Sequence, residues 1–127
     1  MPAIKIELLK GKEKSVLHTL MDAVMDAVVE SLKLPADDRN IRLLEYEPGY
    51  FSLKPPYQLI IEISMFSGRT PETKKKLFQN IVEKIYSKNL FEKQEVFIIL
   101  NEQPMENWGV RGGIPASEID LRFKVNI

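Results

Sequence analysis

The chain has 127 residues, 18 basic and 18 acidic side chains, zero formal net charge and no cysteine. That length suits a single domain with a real core, and the charge balance argues against nucleic acid or an anionic membrane as partner. Lack of cysteine excludes a disulfide framework, a thiolate nucleophile and a cysteine-based metal site; the single histidine, His18, excludes a histidine-rich metal centre.

No cationic leader precedes an apolar stretch, and no apolar run reaches the ~18 residues of a membrane span, so a cytoplasmic protein is expected. At the start of the chain Ile4, Ile6 and Leu8 alternate with Ala3, Lys5 and Glu7. This period of two predicts a strand over about 2–9, broken by Gly11. The strand begins almost at once. Removal of Met1 by methionine aminopeptidase would leave Pro2 as a free secondary amine held rigidly by the backbone. With Met1 attached, Pro2 is a tertiary amide and neither acid nor base. A small second residue is equally an ordinary feature of chain starts.

Over about 13–33 the period changes: Leu17, Leu20, Met21, Val24, Val28 and Leu32 recur at helical spacing, with Asp22, Asp26 and Glu30 opposite. His18 falls off the apolar stripe beside Asp22 and reads as a surface or edge residue. Pro35 ends the helix, and the turn that follows carries Asp38 and Arg39. These two serve either turn and capping chemistry or a pocket edge, where a carboxylate orients a water or a substrate hydroxyl. A second strand is predicted over 41–47. Pro48-Gly49 and Pro55-Pro56 then bracket a loop bearing Tyr50, Phe51 and Leu53, expected to pack on a pocket rim or a neighbouring subunit.

The design then repeats, with a strand over 57–65 broken by Gly68. A helix starts at Thr70-Pro71, with threonine as cap and proline in the first helical position. Its apolar stripe is Leu77, Phe78, Ile81, Val82 and Ile85, and another strand covers 95–101. Gly11 against Gly68, and Pro48 against Pro104, give a repeat offset of about 56 residues. The expected organisation is one domain over 1–127, with repeat 1 at about 2–48, a loop at 49–56, repeat 2 at about 57–104 and a tail at 105–127.

Each unit is a right-handed crossover with parallel strands. The fold class is therefore α+β: two β-α-β repeats forming a four-stranded mixed sheet with both helices on one face. Leu59-Ile60-Ile61 and Val96–Leu100 are nearly continuous apolar runs, a pattern of strands buried on both faces. Two helices cover only one face, so an obligate oligomer is expected. In the tail, Leu121, Phe123, Val125 and Ile127 alternate with Arg122, Lys124 and Asn126. That predicts one further strand, paired either with a neighbour's sheet edge or within its own sheet.

Three segments carry candidate chemistry. Arg69, between a strand end and a helix start, offers a planar fork for a carboxylate beside helix N–H groups, or is a solvated loop arginine. The run 107–113 holds the only tryptophan, Trp108, with three glycines and Arg111; it walls a pocket with an indole and a cation, or is a hairpin turn with a packed tryptophan. Arg39 joins Arg69 and Arg111 as a candidate substrate binder.

Taken in order, Met1-Pro2 before a hydrophobic strand, the doubled strand–helix–strand unit, Gly68-Arg69-Thr70-Pro71 and the run from Asn101 to Gly113 resemble the tautomerase superfamily. The resemblance covers nearly the whole chain. It is closer to the doubled, malonate semialdehyde decarboxylase-like branch than to the half-length 4-oxalocrotonate tautomerases. It implies a MIF-like fold with a short C-terminal hairpin or strand, a homotrimer, no cofactor and no metal. It also implies catalysis by the amino-terminal proline, here Pro2, on a small carboxylate substrate. Arg69 then matches a carboxylate-binding arginine, Asp38 a catalytic aspartate after the first helix, and Trp108 an aromatic pocket residue. One departure stands out: the decarboxylases carry an Arg-Pro-Arg segment where this chain has Gly68-Arg69-Thr70, which bears against decarboxylation more than against tautomerisation. A neutral Pro2 amine would act as base in a keto–enol tautomerase, a protonated one as acid in a decarboxylase or hydratase. A third possibility is a non-catalytic trimer that keeps the fold.

Overall fold

A central antiparallel pair of strands, one from each half of the chain, organises the computed structural model, which describes residues 1–127. In chain order the elements are β1 (Ala3–Leu9), α1 (Lys14–Leu32), β2 (Ile41–Tyr46), β3 (Leu59–Phe66), α2 (Pro71–Ser87) and β4 (Val96–Gln103). A short hairpin of β5 (Gly109–Val110) and β6 (Ile114–Pro115) follows. The main sheet has the order β2-β1-β3-β4, parallel within each repeat and antiparallel between β1 and β3. This is the predicted α+β architecture. The repeat offset is 57 rather than about 56 residues, since Ile4 pairs with Ile41 as Ile61 pairs with Ile98. Gly68 is therefore the counterpart of Gly11, while Pro104 falls opposite Glu47 rather than Pro48.

Alternation decides which face of each strand is buried. Ile4, Ile6 and Leu8 of β1 and Leu59, Ile61, Ile63 and Met65 of β3 are all essentially inaccessible. They meet Leu20, Val24 and Val28 of α1 and Leu77, Ile81 and Ile85 of α2, so both helices lie on one face over a single core. Helix α2 begins as its sequence predicts: Thr70 accepts a hydrogen bond from the Thr73 N–H at 3.2 Å, and Pro71 follows the cap. Helix α1 ends at Lys33 in the left-handed region, φ 54°, with its N–H bonded to the Val29 carbonyl.

The opposite face is mixed and only half-buried. Lys5 reaches Glu62 across the central pair at 3.3 Å, and the Tyr46 hydroxyl donates to Glu7. That bond raises the Tyr46 pKa above its ordinary value. Around this polar centre lie the half-buried Ile60, Phe97 and Ile99. The Pro-flanked loop returns to this face, where Phe51 stacks on Tyr46 and Tyr57 packs against Phe97. Tyr50, in the same loop, is 82% exposed.

The tail differs from one of its two expected forms, since residues 121–127 form no strand on the chain's own sheet. The alternation has another use. Phe123 and Val125 turn inward onto Phe66, and Leu121 packs beside them. The main chain of Ile127 is tied to the start of α2, its carbonyl accepting from the Thr70 N–H at 3.0 Å and the Thr73 hydroxyl at 2.7 Å. No helix of the chain is long and apolar enough to cross a membrane.

Candidate active site at the start of β1

The first residues of β1, the turn after α1, the turn after β3 and the tail converge at one end of the sheet. Pro2 is buried there, directly before the first residue of β1. The Met1 amine is 2.9 Å from Asp38 Oδ2. Asp38 is placed by a tight turn, its N–H bonding the Pro35 carbonyl at 3.0 Å, and its other carboxylate oxygen accepts from Asn40 Nδ2 at 3.3 Å.

Arg69 is the buried cation of the molecule, only 5% exposed. Gly68 turns the chain at φ +133°, a backbone angle that favours glycine, and brings Arg69 inward. Arg69 Nη1 donates to the Phe66 carbonyl at 3.3 Å, whereas Nε and Nη2 are buried with no protein acceptor. The guanidinium also lies over the Phe123 ring, 5.9 Å from its centre. Sequence reasoning set Arg69 beside the open N–H groups of a helix start. Instead, the Thr70 side chain and the Ile127 carbonyl occupy that end of α2, and the arginine turns into the tail-covered interior.

Electrostatics couple these groups. Burial lowers the pKa of the chain-terminal amine below its ordinary 8.0; the hydrogen bond and charge of Asp38 oppose this, and Arg69 adds to it. Arg69 is itself lowered by burial, against the raising effects of Glu102 and Asp38. The protonated amine is thus destabilised despite a carboxylate partner. A small cavity of about 70 Å³ beside the amine is lined by Met1, Pro35, Asp38, Arg111, Leu121 and Phe123, among others.

Trp108 packs edge-on against Phe66 with ring centres 5.1 Å apart; it does not line that cavity, and neither do Pro2 and Arg69. Met1 packs against the same cluster. Arg39 does not join the group: exposed, it pairs with Asp22 of α1 at 2.8 Å. His18 is exposed on α1. Phe66, Phe123 and Asn40 were not singled out from sequence as parts of the site. For Phe123 the only signal was the tail's alternation, which does not say what it covers. No group of three or more His, Cys, Asp or Glu side chains converges in a metal-binding arrangement.

A family model described as "Tautomerase enzyme" matches residues 55–111. The probable tautomerase YusQ of Bacillus subtilis (strain 168) is 31% identical over 121 residues, which is 89% of this chain and 95% of that protein. The probable tautomerase YrdN of the same organism is 23% identical, over 85% of this chain and 89% of that protein. Among solved structures, FG41 malonate semialdehyde decarboxylase inhibited by 3-bromopropiolate is similar with a TM-score of 0.80. Its identity is 29%, covering 89% of this chain and 92% of that one. A fused 4-OT solved as a symmetric trimer shares the fold, with a TM-score of 0.81 at 21% identity, over 91% of this chain and 96% of that one.

Proposed function

The chain belongs to the tautomerase family, and we propose that it is a cofactor-free tautomerase of a small 2-keto or 2-hydroxy-enoate carboxylate, with Pro2 as general base once Met1 is removed. The observation that carries this reading is the position of the chain-terminal amine: half-buried, 2.9 Å from Asp38, with its basicity lowered by burial and further by the charge of Arg69. Loss of Met1 moves the free nitrogen one residue inward, about 3.8 Å along the chain, to a position that is buried. It also frees the space Met1 takes against the Phe66, Ala116 and Val125 cluster.

In this proposal the two unpartnered donors of Arg69 bind the substrate carboxylate, since a guanidinium fork matches a carboxylate in shape and charge. The neutral Pro2 amine takes a proton from the carbon beside the keto group, or from the enol hydroxyl, and returns it at the other position. Arg69 stabilises the negative charge that develops on the enolate. Asp38 orients the substrate hydroxyl or a water, Arg111 adds a second cation at the cavity edge, and Trp108 walls the apolar side. The substrate is held without any group the chain does not itself supply. The fused 4-OT relative is a trimer, and the half-buried outer sheet face supports the same assembly here.

A second reading is favoured by one specific observation, the Asp38 carboxylate at hydrogen-bond distance from the amine. A carboxylate there stabilises the ammonium form, which as an acid suits decarboxylation or hydration of a 3-oxo acid such as malonate semialdehyde. The decarboxylase among the relatives is consistent with it. Ketonisation of 2-hydroxymuconate or the enol of phenylpyruvate, set against malonate semialdehyde turnover, separates the two readings. The central test is intact mass together with turnover of wild type and Pro2→Ala. Loss of Met1, and a fall of about 10²–10⁴-fold in the variant, is the expected result. Undiminished turnover in the variant, or full turnover by protein that retains Met1, removes Pro2 from the mechanism.

A further inference from the structure

The two halves of the chain share more than an element order. Lys10 N–H bonds the Tyr46 carbonyl at 3.0 Å, and 57 positions on, Ser67 N–H bonds the Gln103 carbonyl at 2.9 Å. Asp38 N–H bonds the Pro35 carbonyl at 3.0 Å, and Glu95 N–H bonds the Glu92 carbonyl at 3.0 Å. Gly11 and Gly68 turn at φ +131° and +133°. The residue after each glycine therefore leaves the backbone in the same direction.

Because β1 and β3 run antiparallel at the centre of the sheet, the turn after each lies over the start of the other. Arg69, after β3, reaches the start of β1. Lys12, after β1, lies in a cleft of about 270 Å³ with Gln58, which precedes β3, and with Phe91, Leu9, Lys10 and Gly11. At the same offset Lys12 stands for Arg69, Gln58 for Met1 and Glu95 for Asp38.

We propose that this cleft is a second, non-catalytic binding site for a small carboxylate with an apolar body. It retains the cation and lacks the reacting groups. Lys10 is engaged by Glu47 at 2.6 Å, while Lys12 Nζ stands 4.9 Å over the Phe91 ring, its ammonium turned to the cleft's apolar wall. An ammonium beside an aromatic face and Leu9 suits a ligand with a charged end and an apolar end. The position of Pro2 is taken by Leu59, an amide in mid-chain from which no amine can be freed. The Glu95 carboxylate is occupied as well, accepting from the Glu92 N–H at 2.7 Å. Proton shuttling of the kind proposed for Pro2 is thus unavailable here. The site is also more open than its counterpart: a Cβ on Gly68 would meet Val125 at 3.0 Å, whereas a Cβ on Gly11 would meet nothing within 4 Å.

Benzoate is a suitable probe, since it carries a carboxylate on an apolar ring and has no tautomer to turn over. Amide shifts of the full-length protein are followed by TROSY NMR during titration with sodium benzoate, against sodium chloride at matched ionic strength. The expected result is a set of benzoate-specific shifts at Leu9–Lys12, Gln58 and Phe91, separate from any set around Phe66–Arg69. Lys12→Ala should weaken the first set about fivefold, and Lys12→Glu should abolish it. Both should leave turnover and the Arg69 set unchanged, because Lys12 is exposed and outside the Pro2 site. The proposal is overturned if the Gly11 and Phe91 amides do not move, move equally with chloride, or move undiminished in both Lys12 variants. None of these outcomes depends on Pro2, so the two proposals fail separately.

Discussion

The Met1 amine and the Asp38 carboxylate meet at 2.9 Å, yet the amine is less basic than an ordinary chain terminus because burial outweighs the carboxylate. The same balance is expected to govern Pro2 once its nitrogen is free.

In the proposed mechanism the freed Pro2 amine works when neutral, so turnover should rise with pH through the pKa of that amine and level off above it. Asp38 raises the pKa of the Met1 amine, and the same sense of effect is expected on the Pro2 nitrogen next to it. Asp38→Asn should therefore shift the rising limb of the kcat/KM profile to lower pH, whatever it does to the plateau. A shift to higher pH would contradict the electrostatic account. In protein that keeps Met1 the Met1 amine gives a stability signature. Between its lowered folded pKa and the unfolded value near 8.0, the unfolded chain binds more protons. Stability should then rise with pH across that window and be flat above it, as read from urea midpoints.

In the proposed mechanism Arg69 trades stability for substrate binding. It is 5% exposed, and two of its nitrogens are buried without acceptors. Replacing a poorly compensated buried charge with an apolar side chain of similar length is often neutral or stabilising. Arg69→Met should raise the denaturation free energy by about 1–3 kcal/mol while lowering kcat/KM by about 100-fold. Arg69→Lys should restore little activity, since an ammonium cannot reproduce the planar fork. A destabilised but fully active Arg69→Met protein would show that the guanidinium serves structure instead.

Gly68 and Gly11 form an internal control. Both have φ near +130°, so alanine is strained at either position. Only at Gly68 does the new methyl also meet a neighbour, Val125 Cγ1 at 3.0 Å. Gly68→Ala should cost more stability than Gly11→Ala, by about 1 kcal/mol or more on top of the shared strain. Adding Val125→Ala should bring its incremental cost down, as a non-additive double-mutant cycle in urea denaturation. Equal costs for the two glycine variants would mean that the tail does not press on the turn before Arg69.

Much of this architecture is legible in the sequence because it depends on local period. The alternation in β1, the three- and four-residue spacing in α1 and Thr70-Pro71 before α2 each act within a few residues. The site was legible only in part. Arg69 could be named from its place before a helix, but its burial comes from Phe123 and Val125, more than 50 positions away. Asp38 and Arg39 are adjacent and looked equally available. The turn directs one to the Met1 amine and the other to Asp22 on α1, a choice made by tertiary geometry. The tail's alternation marked an apolar face correctly without saying that it would cover a side-chain cluster rather than extend the chain's own sheet.

The outer face of the sheet carries a half-buried apolar strip. Ile60 and Phe97 are paired neighbours across β3 and β4, and Ile99 follows two residues along β4 on the same face. All three are half-buried in the single chain, beside the Lys5–Glu62 ion pair. In a trimer closed over this face, a charge at Ile99 would be removed from water without a partner and would cost several kcal/mol. In a monomer it would remain hydrated at little cost. Ile99→Arg should therefore shift the sedimenting species from trimer toward monomer, with the helical circular dichroism signal retained because α1 and α2 pack on the other face. The same charge change at an exposed α2 position, Gln79→Arg, should leave the trimer intact. If Ile99→Arg sediments as wild type does, the subunits join through some other surface, and the half-buried apolar strip needs another explanation.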